Sequence, residues 1–240
     1  MHFGIIAAGE GSRLAQEGAA VCKPMIALQG EPMIGRLMKL MADCGAESIA
    51  MILNPTMPQA IEYVNELIPQ LGIPVEVTVK RTPSSMHSFY EISRLLQDKG
   101  RFITTTVDTV FRPEAFRRYA RMWQDAPAEI DGMMAMTCYI DDEKPLYIDT
   151  AADNSPIVAF RDEAWPEARY ISGGIYGLED SAVRVLQQCM ELGVSRMRNY
   201  QRALLHNGLT LYGHDMGKIL DVDHVDDIEK AESFLNDKPE

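Results

Sequence analysis

The chain has 240 residues, of which 46% are hydrophobic and 24% charged. That length lets a fold bury roughly 70% of the surface the unfolded chain exposes, so neither disulfides nor a structural metal is needed to hold it. Acids outnumber bases 35 to 23, for a net charge of −12, which excludes the broad basic face of a nucleic-acid binder. A small anionic ligand remains compatible, because a few local cations and backbone N–H groups suffice for one.

Cys22, Cys44, Cys138 and Cys189 form no CxxC pair, so reduced thiols used as small core residues are expected rather than a zinc site. No apolar run approaches the ~18 residues of a membrane span. The opening Met1–Gly9 run lacks a basic leader and passes directly into Glu10 and Arg13. It is expected to be a buried first strand of a cytoplasmic protein without a membrane partner.

In chain order, Phe3 to Ala8 is a short apolar run ending in Gly, as in a central parallel strand. Met33, Ile34, Leu37, Met38, Leu40 and Met41 recur at helical spacing, with Gly45 as the stop. Strands are predicted at Ser48–Leu53, Val75–Val79 and Arg101–Val107, and helices at Ile61–Ile68, Met86–Gln97 and Pro113–Gln124, with Pro113 at a first helical position. Strand patterns then crowd together at Gly132–Ile140, Leu146–Thr150, Pro156–Phe160 and Tyr170–Leu178. Helices follow near Ala182–Leu192 and Ser195–His206, short strands at Thr210–Tyr212 and Lys218–Leu220, and a last helix at Val225–Leu235. Residues 1–125 thus read as repeated βα units on a parallel sheet. Residues 126–240 add a mixed β insertion and return to the core, so one domain is expected over the whole chain.

Gly9-Glu10-Gly11-Ser12-Arg13 directly follows the first strand. Ligands of open α/β sheets bind at the carboxyl ends of the strands, and glycines here let N–H groups turn inward around a phosphate. Arg13 and Lys23 could add positive charge. A Walker A loop is excluded because Glu10 stands where the lysine belongs, and a dinucleotide fingerprint fails because Leu14 replaces its third glycine.

The segment Ala7-Ala8-Gly9-Glu10-Gly11-Ser12-Arg13-Leu14, then Lys23-Pro24 and the run Met25 to Ile34 with Gly30-Glu31-Pro32, resembles the signature of the nucleoside-triphosphate transferases. These include the sugar-1-phosphate nucleotidyltransferases and the phosphocholine-type cytidylyltransferases. The resemblance implies an α/β fold with a Rossmann-like, mixed but mostly parallel sheet flanked by helices. Residues 1–125 would bind nucleotide and 126–240 the acceptor. It also implies that the backbone from Ala7 through Arg13 embraces the nucleotide phosphates, while Arg13 and Lys23 offset charge on the triphosphate and its pyrophosphate leaving group.

Asp108 ends the strand Phe102–Val107, level with the first loop, where one or two carboxylates plus phosphate oxygens would suit Mg²⁺. The run Asp221-Val222-Asp223-His224-Val225-Asp226-Asp227 precedes the last helix. Capping accounts for Asp226 and Asp227, whereas alternation would put Asp221 and Asp223 on one side of a short strand. The resemblance makes Asp223 the second metal ligand and Asp221 a weaker candidate, with Mg²⁺ as the cofactor.

Ser84 and Ser85 could cap the helix that follows the third strand. The family places its base-reading segment here, and Ser84-Ser85-Met86-His87-Ser88 is closer to phosphocholine-type members than to the Gly-Thr-Ala of many sugar enzymes. Tyr170-Ile171-Ser172-Gly173-Gly174-Ile175-Tyr176 resembles the family's acceptor strand, with Ser172, Gly173 and Gly174 against the substrate. Arg161 or Arg169 could meet the acceptor phosphate, while Trp123 and Trp165 are expected to be packing residues. The partners so implied are a nucleoside triphosphate, CTP or UTP favoured, and a phosphorylated small molecule. That acceptor would be a sugar 1-phosphate or, alternatively, phosphocholine or a related phosphoalcohol. A homodimer stays open. A non-catalytic nucleotide-binding module is the rival class; an NAD-dependent oxidoreductase is disfavoured by Leu14.

Overall fold

A computed structural model describes residues 1–237. The first half runs β1 (His2–Ala7), α1 (Ser12–Gln16), β2 (Ala27–Leu28), β3 (Glu31–Pro32), α2 (Met33–Asp43), β4 (Ser48–Leu53), α3 (Pro58–Leu71), β5 (Val75–Val79), α4 (Ser85–Leu96), β6 (Phe102–Thr106), β7 (Thr109–Val110) and α5 (Pro113–Gln124). The second runs β8 (Gly132–Thr137), β9 (Tyr147–Thr150), β10 (Ser155–Arg161), β11 (Tyr170–Leu178), α6 (Asp180–Glu191), α7 (Met197–His206), β12 (Leu211–Asp215), β13 (Leu220–Asp221) and α8 (Val225–Asn236).

The longer elements follow the periodicity of the sequence. α5, for example, buries Ala115, Phe116, Tyr119, Ala120 and Trp123 along one stripe. Differences fall where local signal is weak. The strand predicted over 132–140 stops at Thr137, and the one predicted over 218–220 is Leu220–Asp221. α1, the 3₁₀ turn Lys23–Met25 and the two-residue strands are too short to carry a period. Cys189 is buried as expected, but Cys138 is exposed, just past the end of β8.

One nine-stranded sheet has the order β5-β4-β1-β6-β11-β8-β12-β10-β9. β5, β4, β1 and β6 are parallel, and β11 enters antiparallel against β6. The chain leaves β1 to one side for β4 and later returns on the other as β6, so the crevice of a topological switch opens at the carboxyl ends of β1 and β6. Alternate β1 residues feed two cores. Phe3, Ile5 and Ala7 meet α2, α3, α5 and α8 on one face, while Ile6 and Ala8 meet α4, α6 and α7 on the other. Trp123 is fully buried and donates its Nε1–H to Phe102 O at 3.1 Å, and Trp165 packs edge-on to Tyr147, so both tryptophans are packing residues.

Candidate active site

At the crevice, β1 gives way to the glycine loop. Buried Asn54, just past β4, donates Nδ2–H to Ala8 O at 3.1 Å and fixes where the loop leaves the sheet. Gly11 adopts φ 60°, and a Cβ there would lie 3.1 Å from Lys23 Cβ. A side chain would thus meet both left-handed strain and the incoming Lys23 turn.

Lys23 is only 9% exposed. Its Nζ lies 2.6 Å from Asp108 Oδ2 and 2.6 Å from Asp223 Oδ1. Arg13 Nη1 reaches the other oxygen of Asp223 at 3.1 Å. Desolvation opposes the Lys23 charge, but Asp108 and then Asp223 outweigh it and hold its pKa above the ordinary lysine value. Burial likewise works against the Asp108 carboxylate, yet Lys23 and a hydrogen bond from Thr106 keep its pKa below the ordinary range.

Three backbone devices bring these distant acids together. Val107 N donates to Ile6 O at 3.0 Å, which extends β6 alongside β1 up to Asp108. β13 then pairs antiparallel with β7, placing Asp221 opposite Thr109, and Val222 N donates to Asp108 O at 3.0 Å. Finally, His224 is the N-cap of α8, and Asp227 Oδ2 accepts from the backbone N–H of His224 at 2.8 Å and of Asp223 at 3.1 Å. The capping role expected of Asp227 therefore also pins Asp223.

Asp221 lies beside the pair without a direct cation partner: its Oδ1 accepts from Thr109 Oγ1 at 3.1 Å. Its pKa is pushed up to about 7, first by desolvation among the packed acids and then by Asp108, although the side chain keeps a path to solvent. Asp221 and Asp223 border the same cleft, but only Asp223 joins Asp108 on Lys23.

Two clefts meet at the acids. The first, about 480 Å³, is lined by Ala8, Gly9, Glu10, Gly11, Lys23, Ser84, Ser85 and Asp108, together with Arg81, Thr82 and Ser88. Ala7 faces the core and Ser12 points outward, so neither side chain lines it. Glu10 pairs with Arg81 across it. Ser84 does occupy the N-cap of α4, but its hydroxyl bonds His87 Nδ1 at 2.8 Å rather than a backbone N–H, which corrects the capping role expected of it.

The second cleft, about 240 Å³, is lined by Arg13, Tyr139, Asp141, Asp142, Glu143, Ser172, Gly173, Asp221, Asp223, His224 and Lys230, among others. Ser172 donates to Oε1 of buried Gln201 at 3.1 Å. Gly174 does not line the cleft. It sits at φ 71° in the irregular stretch of β11 between Ser172 and Tyr176, where a Cβ would lie 2.7 Å from Thr109 Oγ1. Arg161 binds Asp149 at 2.6 Å and packs over Trp165, and neither it nor Arg169 borders this cleft. The cations that do are Arg13 and Lys230. Lys230, Asn54, Thr109 and Gln201 escaped sequence reasoning, because each acts through a neighbour remote in the chain.

Among the described residues no group of three or more His, Cys, Asp and Glu side chains could hold a metal by itself. Asp108 and Asp223, converging on Lys23 beside the glycine loop, nevertheless suit the donor set of Mg²⁺, which takes few protein ligands and completes its shell with other oxygens and water.

The switch-point crevice thus holds a glycine loop, two cations and two convergent acids. The model described as the MobA-like NTP transferase domain matches residues 4–168, and the chain belongs to that family of nucleotidyltransferases. No curated protein sequence matches it. Among solved structures it is similar to the inositol-1-phosphate CTP transferase from T. maritima, with a TM-score of 0.78 at 16% identity, covering 100% of this chain and 97% of that one. It is also similar to a Bacillus anthracis protein assigned as a glucose-1-phosphate thymidylyltransferase and solved with a sucrose, with a TM-score of 0.79 at 17% identity and the same coverage. These likenesses establish the nucleotide-diphospho-sugar transferase fold. The protein is a transferase enzyme.

Proposed function

We propose that the protein transfers a nucleoside monophosphate unit from a nucleoside triphosphate, CTP or UTP favoured, to a sugar 1-phosphate with release of pyrophosphate, and that it does so with Mg²⁺. The observation that carries this reading is the meeting of Asp108 and Asp223 on Lys23 between two clefts, one beside the glycine loop and one beside Ser172. Gly9 to Gly11 and Ser84 and Ser85 hold the nucleotide, with Ala8 contributing at the loop's start. Arg13 and Lys23 offset charge on the phosphates as pyrophosphate departs. Ser172 and Gly173 present the acceptor, whose phosphate is already ionised at neutral pH and needs no general base. Asp108 and Asp223 would hold the Mg²⁺, with Asp221 beside them; when bound, it supplies charge neutralisation between phosphate oxygens.

A specific observation favours a second acceptor class, a phosphoalcohol with a cationic head such as phosphocholine. The acceptor-side cleft carries Asp141, Asp142 and Glu143. The Tyr139 ring in the same wall already packs against an ammonium, Lys218 Nζ, at 4.1 Å from its centroid. Pyrophosphate release with CTP, UTP, ATP and GTP against sugar 1-phosphates and phosphoalcohols separates the two. Triphosphate binding without release in any combination would point instead to a non-catalytic nucleotide-binding module.

A further inference from the structure

We infer that Lys23 is the resident counter-ion of the acid pair, so that the nucleotide-free protein keeps its own metal position closed until a triphosphate draws the ammonium away. The inference rests on the metal reading above and adds an order of events to it. The Lys23 ammonium makes two short charge-assisted bonds, one to Asp108 and one to Asp223, from a side chain almost wholly removed from solvent. Arg13 neutralises the far side of Asp223. The pair is therefore charge-compensated with no metal bound. A divalent ion entering the free protein would have to displace an ammonium while shedding part of its own hydration, and Mg²⁺ dehydrates reluctantly.

Lys23 also lines the cleft that holds Gly9, Glu10 and Gly11. Phosphate oxygens arriving there compete with Asp108 and Asp223 for the same ammonium. As the ammonium turns to the phosphates, Asp108 loses its counter-ion and Asp223 keeps only Arg13, at the moment the phosphates offer a metal its remaining ligands. Nucleotide and metal are thereby coupled through one side chain, and the coupling is reciprocal. A site built this way does not capture metal idly, and the acids never face each other uncompensated.

The test is a Mn²⁺ titration of the nucleotide-free protein read by the electron paramagnetic resonance of free Mn²⁺. Lys23→Met, which keeps the stem and removes the charge, is expected to bind Mn²⁺ at least about tenfold more tightly than the wild type. Lys23→Arg, which keeps the charge, should stay as weak as the wild type. Adding Asp108→Asn to Lys23→Met should erase the gain. Lys23→Gln replaces Lys23→Met should the latter fail to fold. Equal Mn²⁺ affinity in wild type and Lys23→Met, or a gain that survives Asp108→Asn, overturns the inference. In either case, Mn²⁺ uptake with a non-hydrolysable triphosphate that depends on Asp108 would leave the metal reading standing. Absence of Asp108-dependent uptake in every form, nucleotide included, removes both.

Discussion

Glu17 holds His224 from across the chain: one carboxylate oxygen lies 2.6 Å from His224 Nδ1, and the other accepts the Val225 N–H at 2.8 Å. The contact ties the segment after the glycine loop to the first turn of α8, one residue beyond Asp223. The hydrogen bond from His224 keeps the Glu17 carboxyl below its ordinary pKa, and Glu17 in return raises His224. Both groups are accessible to water, so the tie is expected to add little to the stability of the fold. Glu17→Ala is expected to raise KM for the nucleotide while leaving the melting temperature nearly unchanged. Steady-state kinetics beside thermal denaturation checks this, and unchanged KM counts against the tie.

Asp108→Ala and Asp223→Ala should each cost at least about 100-fold in kcat, the scale of losing a principal electrostatic contributor to the transition state. Circular dichroism should remain that of a folded protein, since both acids stand outside the two hydrophobic cores. Near-normal turnover in either variant would reject the proposed metal position.

Gly174→Ala tests how the fold carries the site. The left-handed backbone alone costs a residue with a Cβ about 1–2 kcal/mol. The added carbon would also press on Thr109 Oγ1, which bonds both Thr106 and Asp221. Lower stability in urea together with lower kcat is expected. A stable and fully active variant would show that Thr109 does not matter to Asp221.

The pH dependence of stability should carry the mark of His214. Its ring is buried, its Nδ1 lies 2.9 Å from Asn154 Oδ1, and desolvation holds its pKa below the ordinary value despite Asp153 and Asp215. The unfolded chain therefore binds the proton more readily than the folded one. The neutral ring's contribution is complete above the unfolded pKa of about 6.5 and is lost as pH falls through the lower folded pKa, at no more than about 1.4 kcal/mol per pH unit between the two. His2, also lowered by burial, adds to the same trend. Urea unfolding across this range should show a flatter slope for His214→Gln, and an unchanged slope would assign the dependence to other groups.

The elements most legible in the sequence were those with a long period or a hard stop. Pro113–Gln124 and Val75–Val79 have the predicted bounds, because a proline at the first turn and a strand dominated by β-branched residues act locally. The glycine loop was legible because its residue types serve backbone conformation, and Gly11 does adopt positive φ. The neighbours of Ser172 and Gly174 were not legible. Gln201 and Thr109 meet them through helix packing and an irregular strand register, and neither leaves a periodic trace.

By itself the sequence determined the alternation of strands and helices, the glycine turn after β1 and the presence of acids beyond β6 and before α8, since each follows from spacing and turn chemistry within a few residues. Only the tertiary structure decided that Asp108 and Asp223 share one ammonium, that Asp221 stands apart on Thr109, and that Lys230 rather than Arg161 faces the cleft beside Ser172. Those relations depend on the crossovers of the parallel β5-β4-β1-β6 half of a mixed sheet and on the pairing of β13 with β7, which join residues too distant in the chain for local preference to specify.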